Sequence, residues 1–172
     1  MAKRIYTKYG DQGETGLLYG GRISILVGGA VGGISTLLGL AIGLVSGYYR
    51  KVDAVIMRFM DGLMAFPSLI LALALIAVLG ASVQNVIIVI TIVSVPLVAR
   101  VVRASVLSLR EQQFIDAAKA LGVPDWRILM LHIAPNTLAV LMVQGTFVFA
   151  LAVIAEANLS FLGAGVPPTT PS

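Results

Sequence analysis

The chain has 172 residues, of which 58% are hydrophobic and 12% are charged, and its formal net charge is +4. Soluble domains carry about 25% charged residues, so this composition argues against a soluble enzyme and indicates a membrane protein. The chain has no cysteine and one histidine, His132, which exclude disulfides, thiolate chemistry and a multi-histidine metal site within it.

Four apolar runs follow one another along the chain, and each is a candidate membrane span. A span needs about 20 apolar residues, and charged side chains are costly inside a bilayer. The sequence therefore predicts an all-α integral membrane protein with about four transmembrane helices. The predicted spans are residues 24–49, 62–83, 84–103 and 137–156, within a transmembrane domain at 24–172 that follows a polar N-terminal arm at 1–23.

Glycines recur at four-residue intervals in the first predicted span. Small residues at this spacing let the backbones of two membrane helices approach closely, so we expect these glycines to face neighbouring helices. They form the rows Gly28/Gly32, Gly29/Gly33 and Gly39/Gly43/Gly47.

Residues 50–61 separate the first two spans and carry five charges, which is typical of a short amphipathic elbow at the membrane surface. Arg58 and Asp61 lie three residues apart, so we expect them to pair on one helix face. Pro67 lies inside the second apolar run and frees one backbone carbonyl, which we expect neighbouring helices to satisfy.

The basic residues are distributed unevenly between the two ends of the predicted bundle. Eight of the twelve lie within residues 50–61 or 100–136, and the segment between the second and third spans has none. The positive-inside rule therefore places residues 50–61 and 100–136 in the cytosol. The net charge is thus explained by membrane topology, and we expect no nucleic-acid partner. The four basic residues within residues 1–23 fit this orientation poorly.

Residues 104–136 form the polar segment between the third and fourth spans. Residues 111–121 have a helix-forming composition, and Gly122 follows them as a stop signal. Pro124 suits the first turn of a second helix, which we expect to end before Pro135. The segment is therefore predicted to be a helix–turn–helix.

One narrow apolar stripe runs along the first helix of this segment. Its residues are spaced at i, i+3, i+4 and i+7, and its small alanines would let another surface approach closely. Such a helix either docks in a groove on a partner or packs only on its own bundle, and both readings stay open. The stripe consists of Phe114, Ala117, Ala118 and Leu121.

This segment resembles the Glu-Ala-Ala loop of ABC-transporter permeases, known as the EAA motif. In that motif a glycine follows the Glu-Ala-Ala triplet, and a Leu-Pro pair lies further along the chain. The spacing matches here, with an aspartate in place of the glutamate. The matching residues are Asp116, Ala117, Ala118, Gly122 and Pro135.

His132 and Ala134 stand where the motif has isoleucine and leucine. The surrounding LHIAPN segment is instead similar to the dipeptide, oligopeptide and nickel importer branch of these permeases. Several other segments resemble the same branch in the same order, and the resemblance covers about residues 19–172.

The resemblance implies a permease subunit of an ATP-driven importer in the cell inner (cytoplasmic) membrane, with a di- or oligopeptide or a nickel-type solute as cargo. Residues 111–122 would couple it to a separate ABC ATPase that binds ATP and Mg²⁺. A second permease subunit, identical or related, and a periplasmic substrate-binding protein are the other implied partners. The implied coupling residues are Phe114, Asp116, Ala117, Ala118, Leu121, Gly122 and Pro135.

The chain itself contains no P-loop pattern and no plausible catalytic triad. We therefore expect no enzyme activity, catalytic residue, metal site or cofactor in it. Gln144 and Glu156 are the candidates for a substrate path along the fourth span. The alternatives for Glu156 are an outer-interface or helix-packing role, and Gln144 could instead bond a neighbouring helix.

Residues 1–24 resemble a different family, the N-terminus of corrinoid (cobalamin) adenosyltransferases, where a similar pattern helps to bind ATP. The rest of that enzyme is missing, so a polar arm is the simpler interpretation. The alternatives to a transport subunit are a truncated or fused permease remnant and an adenosyltransferase fragment at the N-terminus. The pattern consists of Tyr6, Thr7, Gly10, Asp11, Gly13 and Thr15.

Overall fold

The computed structural model describes residues 16–163, which form seven α-helices and contain no β-strand. The predicted all-α fold is therefore confirmed. A π-helical turn, Leu129–Ile133, joins the last two helices. The helices are α1 (Gly16–Tyr48), α2 (Arg50–Met64), α3 (Ser68–Leu79), α4 (Val83–Leu109), α5 (Gln113–Ala120), α6 (Asp125–Ile128) and α7 (Ala134–Phe161).

The first helix begins at Gly16, before the predicted span start at residue 24. Residues 16–21 carry no charge, so the helix of the first span can continue in the N-terminal direction. The predicted polar arm at residues 1–23 therefore overlaps α1. Its first fifteen residues lie outside the described part of the chain, together with the adenosyltransferase-like pattern noted above.

Three helical segments are long and apolar enough to cross a bilayer, namely Gly21–Tyr48, Val83–Leu109 and Asp125–Phe161. The predicted second span differs, because the chain bends by 88° between α2 and α3. With 12 residues, α3 is about 18 Å long, which is short of a hydrocarbon core of about 30 Å. The described residues thus provide three candidate spans, or four if the bent pair counts as one.

Pro67 explains the bend between α2 and α3. Proline has no backbone N–H and disfavours helical geometry at the residue before it, so α2 ends at Met64 and α3 begins at Ser68. The Leu71 N–H donates to the Pro67 carbonyl at 3.0 Å, so helical hydrogen bonding resumes directly after the proline. The predicted second span, residues 62–83, is therefore divided at Pro67 between two helices, α2 and α3.

Helices α1 and α4 pack closely along a row of glycines. A Cβ atom added at these glycines would lie 2.4 to 2.6 Å from a valine side chain of α4, which is closer than real contacts allow. Because the residue numbers rise together along both helices, α1 and α4 run parallel. The facing pairs are Gly39–Val98, Gly43–Val102 and Gly47–Val106.

Helix α7 packs on another face of α1 and runs in the opposite direction. Gly28 faces Val153 and Phe149, whereas Gly145, earlier in α7, faces Thr36, later in α1. Residue numbers rise along α1 as they fall along α7, so the two helices are antiparallel. Tyr48, Leu109 and Asp125 therefore lie at one end of the bundle, which we call the α5 end.

The α5 end contains both basic segments that the charge distribution assigned to the cytosol. Two segments on the same side of the membrane must lie at the same end of the bundle, as these two do. That this side is the cytosol stays a prediction. Gly29 and Gly33 behave differently from the other glycines, because a Cβ atom at either position would meet nothing within 4 Å. The expectation that the Gly29/Gly33 row packs against a neighbouring helix is therefore wrong within residues 16–163.

Candidate coupling site

Helix α5 presents two different apolar faces, so the predicted single stripe is split. Ile115 is fully buried and Ala118 is 8% exposed, and both belong to the core of the bundle. Phe114 is 40% exposed and Leu121 is 84% exposed. Ile115 is not part of the predicted stripe, and of the stripe's two alanines Ala118 packs on the bundle while Ala117 is exposed, because adjacent residues differ by about 100° around a helix.

The end of α5 is fixed by a Schellman motif, which confirms Gly122 as the stop of this helix. Gly122 has a φ of +75°, its N–H donates to the Lys119 carbonyl at 2.9 Å, and the Val123 N–H donates to the Ala118 carbonyl at 3.1 Å. Glycine adopts this left-handed conformation at low cost. Gly122 therefore sets the direction of the chain after α5.

The sequence predicts that the second helix of the segment ends before Pro135. In the structure the helix continues past Pro135. The π turn widens the helix there, and the Ala134 N–H donates to the Leu129 carbonyl. A wider turn accommodates a proline ring that would clash in a regular α-helix. The Asn136 side chain donates to the His132 carbonyl at 2.6 Å. The helix thus continues from Asp125 into α7.

Two side-chain contacts connect the segment to the spanning helices. The Tyr48 hydroxyl at the end of α1 donates to Asp125 Oδ1 at 2.6 Å. The rings of Phe114 and His132 lie 6.5 Å apart, which joins α5 to the π turn. These contacts link residues far apart in the chain, and no sequence pattern indicated them. On α5 itself, Asp116 lies 3.6 Å from the Lys119 ammonium.

Ion pairs attach α2 to α4 near the same end of the bundle. The Arg103 guanidinium donates to both carboxylate oxygens of Asp53. This hydrogen bonding holds the pKa of Asp53 below its ordinary value. Asp61 accepts from Arg100 at 2.6 Å, so the expected pairing with Arg58 is wrong.

The two candidate substrate-path residues occupy separate environments on α7. Glu156 is 4% exposed and accepts hydrogen bonds from the Ser24 and Ser160 hydroxyls at 2.6 and 2.7 Å. These contacts are those of a helix-packing residue between α1 and α7. Gln144 is half-buried and lies about 18 Å away along the helix. The structure therefore does not bring the two together in one site.

An apolar cavity of about 510 Å³ lies beside the bend at Pro67, between α3, α4 and α7. Ser94 and Asn158 are among its few polar lining residues. Neither Gln144 nor Glu156 is among the lining residues. No sequence pattern indicates this cavity, because its walls come from three separate segments.

Comparison with known proteins shows one family match. A family model described as binding-protein-dependent transport system inner membrane component matches residues 35–172. This match includes α5, the Pro67 bend and α7.

Individual relatives are also similar over most of this chain. A putative peptide transport system permease protein of Brucella suis is 49% identical over 154 residues, covering 90% of this chain and 52% of the relative. A dipeptide transport system permease protein of Alkalihalophilus pseudofirmus is 46% identical, covering 91% and 52%. A glutathione transport system permease protein of Pectobacterium atrosepticum is 37% identical, covering 90% and 52%. The chain spans about half the length of the curated relatives it matches.

Proposed function

Because the chain belongs to the family of binding-protein-dependent transport system inner membrane components, we propose that it acts as a permease subunit of an ATP-driven importer. It is a multi-pass protein of the inner membrane, in line with its three or four apolar helices. In the proposed role the chain forms part of the solute path and catalyses no reaction itself. ATP and Mg²⁺ are bound by a separate ATPase subunit.

The proposed cargo is a short peptide. The similar proteins are named as permeases for peptides, dipeptides or glutathione, which is itself a peptide. A nickel-type solute is the other cargo that the resemblance to this importer branch implies, and the names of these relatives favour the peptide. A periplasmic binding protein would deliver the peptide, and a second permease subunit would complete the path.

The exposed face of α5 is the observation that supports coupling to an ATPase. Phe114, Ala117 and Leu121 are exposed at the α5 end of the bundle, while the neighbouring apolar face formed by Ile115 and Ala118 is buried. A short helix held by one face can insert its other face into a groove on a partner. Ala118, Gly122 and Pro135 would then shape the segment without touching the ATPase.

The connections of α5 and α6 suggest how movement would reach the membrane. The helix from Asp125 to Phe161 is continuous, so displacement of the coupling segment would be passed directly to α7. The hydrogen bond between Tyr48 and Asp125 would pass it to α1. Because α1 and α4 are closely packed, they would respond as one unit.

Peptide uptake tests this proposal. The chain would be co-expressed with the ATPase, binding-protein and second permease subunits of its own transport system, and uptake of a labelled dipeptide would be measured. Leu121→Asp should abolish ATP-dependent uptake, because a carboxylate would be buried in the partner groove. Leu121→Met, a similar apolar side chain, should retain uptake. Full uptake by Leu121→Asp would contradict the proposed coupling face.

A further inference from the structure

A polar cavity of about 530 Å³ lies at the α5 end of the bundle, apart from the exposed coupling face. Its walls come from the ends of α1 and α4, the start of α2 and one side of α5. A cavity of this volume is within the range of about 300–1,000 Å³ that holds small ligands. The described residues that line it are Tyr48, Arg50, Arg110, Glu111, Asp116 and Lys119.

Three cations from three different elements converge on this cavity and outnumber its two carboxylates, Glu111 and Asp116. Arg110 donates to the Gly47 carbonyl at 3.1 Å, which positions its guanidinium and leaves other N–H donors available. Lys119 is paired only loosely with Asp116, at 3.6 Å. Arg50 is exposed, and within residues 16–163 it forms no ion pair. Convergent guanidinium groups are suited to a phosphate.

The position of the cavity beside α2 points to a lipid as the source of that phosphate. Helix α2 begins at Arg50, and its exposed apolar residues, including Val55 at 73% and Phe59 at 66% exposure, alternate with charged ones. Such a helix lies in the membrane surface at the level of the headgroups. The cavity opens beside its first residue, and basic pockets between membrane helices bind anionic headgroups.

A protein partner is the less favoured occupant. On α5, Asp116 and Lys119 lie on the opposite side of the helix from Ala117 and Leu121, as expected at 3.6 residues per turn. A partner docked on the exposed coupling face would therefore leave the cavity open. Ala117 and Leu121 are therefore not among the residues that line the cavity.

We propose that this cavity binds the headgroup of an anionic glycerophospholipid such as phosphatidylglycerol. Arg50 and Arg110 bind the phosphate, Lys119 adds positive charge, and Glu111 accepts hydrogen bonds from the headgroup hydroxyls. The bound lipid joins α2, α4 and α5 at one end of the bundle. This role does not depend on the transported solute.

Native mass spectrometry of the detergent-solubilised full chain tests the proposal. The chain is mixed with equal amounts of phosphatidylglycerol and phosphatidylcholine, and the retained lipids are counted. The test variant is Arg50→Gln/Lys119→Gln, which leaves the Arg110 hydrogen bond intact. The control is Lys51→Gln/Arg58→Gln, which removes the same charge from exposed positions of α2 that do not line the cavity. Circular dichroism and emission of the single tryptophan, Trp126, report whether each variant folds.

We expect the unmodified chain to retain one phosphatidylglycerol preferentially. Loss of two cations should reduce this preference roughly tenfold in the test variant and leave the control unchanged. An equal loss in both double variants, or no preference in the unmodified chain, would overturn the proposal. Displacement of the lipid by millimolar inorganic phosphate would also overturn it, because the site would then bind a soluble anion.

Discussion

The contact between α1 and α4 differs sharply from the attachment of α5. Three glycines let the backbones of α1 and α4 meet without any gap, whereas α5 is held by Ile115, Ala118 and one ring contact. Closely packed helices such as α1 and α4 can move little relative to each other. A segment with few contacts, such as α5, can shift as a unit. The bundle therefore contains a rigid pair of helices, α1 and α4, beside a coupling segment that is attached separately.

The largest expected effect comes from disturbing the close contact. Gly43→Val places a Cβ atom 2.6 Å from the Val102 side chain and 2.8 Å from the Ala99 carbonyl, so α1 and α4 must separate. We expect a loss of about 2–3 kcal/mol in stability, measured as a lower thermal midpoint in detergent. Gly33→Val is the matched control, since its Cβ atom enters open space. Equal losses in both variants would mean that β-branching, not contact, determines the effect.

A smaller effect should follow from changing the end of α5. Gly122→Ala puts a Cβ atom on a residue with a φ of +75°, which should cost about 1–2 kcal/mol. Hydrogen exchange should increase at residues 121–123 while α1 and α4 stay protected. Gly62→Ala, inside α2 and facing open space, should instead be neutral or stabilising. Unchanged exchange in Gly122→Ala would show that the Schellman turn does not hold the segment.

The smallest effect should come from the hydrogen bond between α1 and α6. Tyr48→Phe removes the donor to Asp125 and should cost at most about 1 kcal/mol. We expect faster hydrogen exchange at residues 125–128 with almost no change in the thermal midpoint. Tyr49→Phe is the control, because within the described residues its hydroxyl makes no hydrogen bond. A similar change in both variants would argue against a specific connection through Tyr48.

The sequence predicted the features that depend on local chemistry. The apolar runs located α1, α4 and α7, and Gly122 was identified as a helix stop because few other residues adopt its conformation. The EAA-type segment could also be found, since its spacing is local. These features need no knowledge of which helices are neighbours.

The sequence could not determine features that depend on neighbouring helices. Gly28/Gly32 and Gly29/Gly33 have the same spacing, yet only the first row faces α7, because adjacent residues point in directions about 100° apart. For the same reason the apolar stripe could not show that Ala118 packs on the bundle while Ala117 is exposed. Asp61 was matched with Arg58 because Arg100 approaches only after α2 turns beside α4.

A cysteine scan of α5 tests the central claim, that one face holds the bundle and the other docks on a partner. The chain has no native cysteine, so single cysteines with a photo-crosslinker can be placed at residues 114, 115, 117, 118 and 121 in membranes that contain the ATPase subunit. We expect crosslinks from Phe114, Ala117 and Leu121 and none from Ile115 or Ala118. Cysteine at Ala81, exposed at the other end of the bundle, should also give none. Crosslinks of equal strength from the buried positions, or from Ala81, would contradict this claim.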